Sequence, residues 1–269
     1  MIFPLVTLEL FKLSEYKEQF LEKNIQVVVS DYHYLSIVND KSRLYCELSE
    51  KGIELPEFRV VNDYHQFLNA KTYFLEKHGG YCIKPSISNG SRGVRLITKS
   101  INEFDMLFKQ KPNSLYISDE KLSWILKKNH FPQLLISEIL PGDEFTIDTV
   151  VNTNNEPIVI IPRRRVKTVG GISTAGRFEE NEEIISYTKK ILANFKLTGP
   201  IGLQVKQNKD GEYRLLEINP RIQGTSVASL GIGINLPEIA IKAILNKPMD
   251  EPQLNWGTNF IRYYEEVFY

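Results

Sequence analysis

Arg214-Leu215-Leu216-Glu217-Ile218-Asn219-Pro220-Arg221 decides the fold of this chain when it is read with Gln204 upstream. Between them lies Asn208-Lys209-Asp210-Gly211, and an Asp-Gly pair flanked by strand-forming residues signals a β-hairpin. With Asp210-Gly211 as a two-residue turn, Lys209 faces Glu212, and counting back sets Gln204 opposite Glu217. Directly paired residues on one face have Cβ atoms about 4.5–5.5 Å apart. Strand alternation puts Asn219 on that face too and gives the other face to Ile201, Leu203, Val205, Leu216 and Ile218. One side is therefore core, and the other presents a carboxylate and two amides. Converging oxygen donors on a rigid ribbon suit a hard cation such as Mg²⁺. Arg221, just past the strand, is placed to meet an anion held by that cation. The same pattern also describes an ordinary amphipathic hairpin with a solvated polar face, so the rest of the chain has to decide.

The bulk properties narrow the classes. A chain of 269 residues is long enough for two lobes. Its 33 basic and 33 acidic residues cancel, so no nucleic-acid or anionic-membrane surface is expected, and anion-binding residues must be local clusters. Cys46 and Cys82 are expected to be buried free thiols in a reducing cytoplasm. The four His are not at ligand spacing, which argues against zinc. No apolar stretch approaches the ~20 residues needed to cross a bilayer, and no secretory leader is evident.

Along the chain, residues 8–23 carry helical spacing and Ile25–Val29 reads as a short strand. Asn39-Asp40-Lys41 opens a helix that runs toward Gly52, Phe58–Val61 is a strand, and Asp63 caps a helix that stops at Gly79-Gly80. Tyr81–Pro85 and Val94–Thr98 are strands around a Ser/Gly loop, and 102–110 and 118–129 are helices. Leu134–Leu140, Glu144–Val151 and Ile158–Ile161 are strands, 163–178 a basic loop, and Asn181–Lys196 a strong amphipathic helix. Pro237–Leu245 is the last clear helix. Strands and helices do not alternate regularly, and the hairpins favour antiparallel pairing, so the expected class is α+β with more than one sheet.

Three more constellations carry potential chemistry. Lys84 ends a strand before Ser86-Ile-Ser88-Asn89-Gly90-Ser91-Arg92-Gly93, whose small residues let backbone N–H groups approach phosphate oxygens. This is neither a Walker A loop nor a GxGxxG, and a mobile turn has the same composition. Ser137-Glu138-Ile139-Leu140-Pro141-Gly142-Asp143-Glu144 places two carboxylates around a turn, either as solvated turn acids or as partners of a nucleoside. Arg163-Arg164-Arg165-Val166-Lys167 is either a solvated basic loop or a cover that brings cations to a phosphate or carboxylate.

In this order, Asn39-Asp40-Lys41, Ile83-Lys84-Pro85-Ser86 with Gly90–Gly93, Ser137-Glu138 with Pro141–Glu144, Gln204 and Glu217–Arg221 resemble the ATP-grasp superfamily, in particular the carbamoyl-phosphate synthetase large-subunit type and related carboxylate–amine ligases. The resemblance covers residues 35 to 269. It implies two lobes with antiparallel sheets that clasp ATP. It further implies that Lys41, Lys84, Ser88, Gly90, Ser91, Arg92, Gly93, Glu138, Ile139 and Glu144 bind the nucleotide, with the base near Glu138–Ile139 and the ribose on Glu144. Gln204, Glu217 and Asn219 would hold Mg²⁺ or Mn²⁺. Arg221, Lys84, Arg163 and Arg165 would offset the charge of the transferred phosphoryl group. The implied division is 1–34, 35–135 with a small subdomain near 80–137, and 136–269. Residues 1–34 resemble only the last helix and strand of the Rossmann-like domain that precedes ATP-grasp lobes of this type.

The resulting expectation is a cytoplasmic, ATP- and Mg²⁺-dependent ligase that joins a small-molecule carboxylate to an amine through an acyl phosphate. No Ser/His or Cys/His nucleophile arrangement is present, as that chemistry requires none. One alternative is an ATP-binding module that relies on a partner chain for the missing N-terminal domain. Another is a kinase that stops at the phosphorylated acceptor. Neither nucleic acid nor membrane is an expected partner.

Overall fold

The computed structural model describes residues 1–88, 90–99, 102–109, 115–250 and 252–269. The predicted loop position Asn89 and the last residue of the predicted helix 102–110 lie outside the described residues. The chain opens with α1 (Thr7–Glu15), α2 (Lys17–Glu22), α3 (Tyr32–Val38) and α4 (Lys41–Glu50). Asp40 caps α4, accepting hydrogen bonds from the backbone N–H groups of Ser42 and Arg43. Strand β1 (Phe58–Val61) and helix α5 (Tyr64–His78) follow, with Asp63 as the cap at the start and left-handed Gly79 at the end.

Strands β2 (Gly80–Pro85) and β3 (Arg95–Thr98), helices α6 (Glu103–Lys109) and α7 (Asp119–Lys128), and strand β4 (Leu134–Ser137) complete the first half. The second half is β5 (Glu144–Val151), β6 (Pro157–Val169), β7 (Ile172–Phe178), α8 (Glu182–Leu192), β8 (Gly199–Gln207) and β9 (Tyr213–Asn219). A 3-10 turn (Ser226–Ile232), α9 (Leu236–Ile244) and β10 (Asn259–Ile261) end it.

The strands form a four-stranded sheet in the order β1-β4-β2-β3 and a six-stranded sheet in the order β10-β7-β6-β5-β8-β9. All pairings are antiparallel, as expected for an α+β chain built from hairpins. Phe67 and Phe74 of α5 and Leu122 and Leu126 of α7 cover one side of the small sheet, where they meet Tyr81, Ile83 and Ile136. A larger core joins Leu44, Tyr45 and Leu48 of α4 to Leu135 of β4, to Ile184 and Ile191 of α8, and to Leu203 and Ile218 of the large sheet. Fully burying a Leu, Ile or Phe side chain is worth about 1.5–3 kcal/mol, so this shared core ties the two sheets together through α4. No single helix among the described residues is long and apolar enough to cross a membrane.

Several sequence expectations need correction. Ile25–Val29 is not a strand; Val27 makes one isolated parallel bridge to Ile2 and has no further neighbour to extend it. Leu134–Leu140 is extended only to Ser137. The helix from Asn181 ends at Leu192 rather than Lys196, while α3 and β10 were not read at all. Segment 163–178 is not a loop: β6 runs on to Val169 and returns as β7. Gly170 and Gly171 have φ of 56° and 78°, which makes the two-residue turn of a twisted hairpin. Cys46 is exposed on α4, whereas Cys82 is buried as expected.

Candidate functional site

The polar face of the large sheet is built by register. Arg163 of β6 pairs with Thr146 of β5, Thr146 with Gln204 of β8, and Gln204 with Glu217 of β9. One step along, Asp148 pairs with Gly202 and Gly202 with Asn219. Gln204, Glu217 and Asn219 therefore share a face, as the sequence pattern requires. The route to that register differs from the simple count. The hairpin closes through Lys209-Asp210-Gly211, with Gly211 at φ 84°, because Asn208 Oδ1 accepts from the N–H groups of Asp210 and Glu212, each at 2.9 Å. A bulge between Val205↔Leu215 and Gln204↔Glu217 then restores the alignment. It also reverses one facing: Leu215, not Leu216, is the core residue.

Glu217 is engaged at both oxygens. Asn219 Nδ2 donates to Oε1 at 2.9 Å, and Lys41 Nζ stands 3.4 Å from Oε2. Lys41, only 5% exposed, also donates to the Ser88 carbonyl at 2.9 Å. Its backbone N–H donates to Ser86 O at 2.8 Å. Helix α4 thus carries one ammonium between the hairpin and the Ser/Gly loop. Lys84, 9% exposed, is paired through its backbone with Leu135, but its side chain makes no hydrogen bond or ion pair with any described residue. It lies on the side of β2 that faces away from α5 and toward the large sheet. Cys82 on that side is pushed up by burial, against the opposing charges of Lys84 and Lys206. Arg221 donates through Nε to Thr7 Oγ1 at 3.1 Å; burial lowers its pKa, against the nearby charge of Glu217.

The covering segments are also in place. Gly90, Ser91 and Gly93 all have left-handed backbone, with φ of 63°, 59° and 79°, and Ser91 and Arg92 are exposed. A Cβ on Gly171 would stand 2.9 Å from Ser91 Oγ, so the loop touches the tip of the β6–β7 hairpin. At the end of the β1–β4 pair, the backbone N–H of Glu138 donates to Glu57 O at 3.0 Å, and the N–H of Glu57 donates to Glu138 Oε1 at 2.8 Å. The carboxylate of Glu138 is thus turned to the chain, and the half-buried Glu138–Ile139 backbone runs on beyond β4.

Two arginines are placed differently from the expected free cations. Arg163 is 0% exposed, donating through Nη2 to Asp148 Oδ2 at 3.1 Å and to Thr225 Oγ1 at 2.8 Å. Its guanidinium is covered by Asp148, Thr225 and the ring of Phe260, so it is not an open cation. Arg165 is taken by Glu144, by Ser173 Oγ at 3.1 Å and by Gly171 O at 2.6 Å. Glu144, the predicted ribose partner, is thereby held by Arg165.

Sequence reasoning missed Thr146, Asp148, Lys206, Gln223 and Thr7. Asp148 accepts from Ser226 Oγ at 2.5 Å and Gln223 Nε2 at 3.3 Å, binding the segment after Arg221 to β5. The alternation Glu144-Phe145-Thr146-Ile147-Asp148 was the available signal, since it puts Asp148 on the face of Glu144.

Glu217 with the amides of Gln204 and Asn219 fits Mg²⁺, which is held by one or two carboxylates while phosphates and water fill its other positions. Among the described residues no cluster of three His, Cys, Asp or Glu forms a site for a metal bound by protein alone.

Residues 130–264 match the family described as "ATP-grasp in the biosynthetic pathway with Ter operon". The chain belongs to the ATP-grasp family. Among curated relatives, the carbamoyl phosphate synthase large chain of Methanosarcina barkeri is 22% identical over 249 residues, covering 86% of this chain and 21% of the relative. That of Pseudothermotoga lettingae is 23% identical over 251 residues, covering 88% and 21%. The ATP-grasp chain thus spans about a fifth of the length of these relatives. In fold it is similar to N5-carboxyaminoimidazole ribonucleotide synthetase in its ADP complex, at TM-score 0.65 and 16% identity over 91% of this chain and 60% of that one. It is similar also to biotin carboxylase from Campylobacter jejuni in a β,γ-ATP complex, at TM-score 0.68 and 15% identity over 92% and 56%.

Proposed function

We propose that this ATP-grasp chain binds ATP with Mg²⁺ against the polar face of β8–β9 and is an ATP-dependent ligase joining a carboxylate to an amine. The observation that carries the reading is Glu217 opposite Gln204 and beside Asn219, with the cations Lys41 and Arg221 acting on it. Lys84 adds support, since its largely buried side chain forms no ion pair with a described residue and its ammonium is free to meet an anion. Relatives in fold were solved with ADP, with MgADP and with ATP, which supports the nucleotide assignment.

In this reading the triphosphate lies between the large sheet and the 88–93 loop. The backbone at Glu138–Ile139 meets the base. Glu144, oriented by Arg165, meets the ribose. Lys41, Lys84 and Arg221 hold the phosphates and offset charge on the γ-phosphoryl oxygens as the bond to ADP breaks. A divalent ion on Gln204, Glu217 and Asn219 would supply charge neutralisation and alignment of the phosphates. The substrate carboxylate attacks the γ-phosphorus and releases ADP. The amine then attacks the acyl carbon and displaces phosphate. Arg163 serves as a support for Asp148 and Thr225 rather than as a phosphate contact. We also propose the division 1–34, 35–135 and 136–269 and a cytoplasmic setting.

The test is Glu217→Gln. It should lower ADP formation by about 100-fold or more while the thermal midpoint stays near that of wild type, because the side chain is on the polar face. Undiminished ADP formation would remove the metal assignment. A second reading is a nucleotide-binding module without its own ligase activity. Incubation with MgATP and pools of carboxylates and amines separates the two by acceptor-dependent phosphate release. Hydroxylamine trapping separates an acyl phosphate from a kinase's phosphate ester.

A further inference from the structure

Among the described residues on the polar face of the large sheet, the carboxylates of Asp148 and Glu144 are each matched by an arginine. Asp148 is held by Arg163 and Glu144 by Arg165. Glu217 has no arginine partner in an ion pair among the described residues; its Oε2 faces the ammonium of Lys41 at 3.4 Å. That ammonium is not a loose surface charge. Lys41 is fixed by its backbone bond to Ser86 O, by its side-chain bond to Ser88 O, and by the neighbouring Ser42 Oγ, 2.5 Å from Ser86 Oγ.

A divalent ion that binds Glu217 must therefore settle beside a buried positive charge that cannot swing away into water. Arg221 adds to the same field. One carboxylate facing two cations disfavours a bare dication, because like charges at this range in a partly buried site repel strongly. A triphosphate reverses the balance. Its oxygens accept from the ammonium groups and supply the remaining ligands of the ion.

We infer that Lys41 is a specificity residue: it makes the Glu217 site take a divalent ion only together with a triphosphate. The inference rests on the nucleotide reading above and deepens it. Because the same ammonium holds the Ser88 carbonyl, the exchange also links ion binding to the start of the Ser/Gly loop.

The probe is Mn²⁺ alone, titrated by its electron paramagnetic resonance signal, with and without ATP. Wild type should bind Mn²⁺ alone far more weakly than with ATP. Lys41→Met keeps the buried stem and removes the charge, and it should bind Mn²⁺ alone about tenfold more tightly than wild type. Lys41→Arg should behave as wild type toward Mn²⁺ alone. Circular dichroism checks that Lys41→Met is folded, and Lys41→Gln, which can still donate to Ser88 O, serves as the second neutral variant. Unchanged or weaker Mn²⁺ affinity in the folded neutral variants, with Mn²⁺–ATP binding intact in wild type, overturns the inference alone. No Mn²⁺–ATP binding by wild type overturns the nucleotide reading and this inference together.

Discussion

Asp148 shows how a single buried carboxylate can organise a site without facing a substrate. It is 3% exposed and accepts from Arg163, Ser226 and Gln223, so it fastens the segment after Arg221 to β5. Gln223 lies so close over Gly202 that a Cβ there would be 2.2 Å from its Cδ, which explains the glycine in the row between Asp148 and Asn219. Asp148→Ala should cost about 3–5 kcal/mol in urea unfolding, because Arg163 would be left as an uncompensated buried charge. Asp148→Asn with Arg163→Met should recover part of that loss, and additive losses in the double variant would refute the coupling. Arg163 was readable as a cation but not as a buried one. A run of three arginines looks like a solvated loop until the backbone is known to be extended. Alternation then sends Arg163 and Arg165 to one face and Arg164 to the other.

At the scale of elements, the β8–β9 hairpin was legible for a reason that its details disguise. The sequence count assumed a two-residue turn, and the structure has a three-residue one. The bulge at Leu216 adds the compensating residue, so Gln204 still meets Glu217. The core alternation could not reveal this, since Leu215 and Leu216 are interchangeable as apolar residues. What fixes the choice is tertiary: Tyr45 Oη donates to the Leu215 carbonyl at 2.6 Å, and the Leu215 N–H donates to Tyr187 Oη at 3.1 Å. Tyr45→Phe would leave a buried carbonyl without its donor and should cost about 1–3 kcal/mol, read from the thermal midpoint. The β6–β7 hairpin was missed although Gly170-Gly171 is a turn signal, because the basic side chains before it suggested a loop.

At the scale of the whole molecule, the two sheets meet through α4, while the bonds between Glu57 and Glu138 close the end of the β1–β4 pair within the small sheet. Burial alone would raise the Glu57 carboxyl, but hydrogen bonds from Tyr73, Lys77 and His78 win and hold it at about 2. A carboxyl lowered on folding stabilises the protein above its unfolded pKa of about 4.5, and the contribution fades as pH falls toward about 2. The thermal midpoint of wild type should therefore drop more steeply between pH 4.5 and 2 than that of Glu57→Gln; parallel curves would contradict this. The general architecture was legible because hairpins and helix caps are local signals. The N-terminal packing was not: Thr7 reaches Arg221 and Ser30 reaches Thr198 only after the chain has folded back across its whole length. The approach of Ser91 to Gly171 carries a last consequence. The Ser/Gly loop belongs to one sheet and the Gly170-Gly171 turn to the other, so a shift of either sheet changes the spacing at this point of contact.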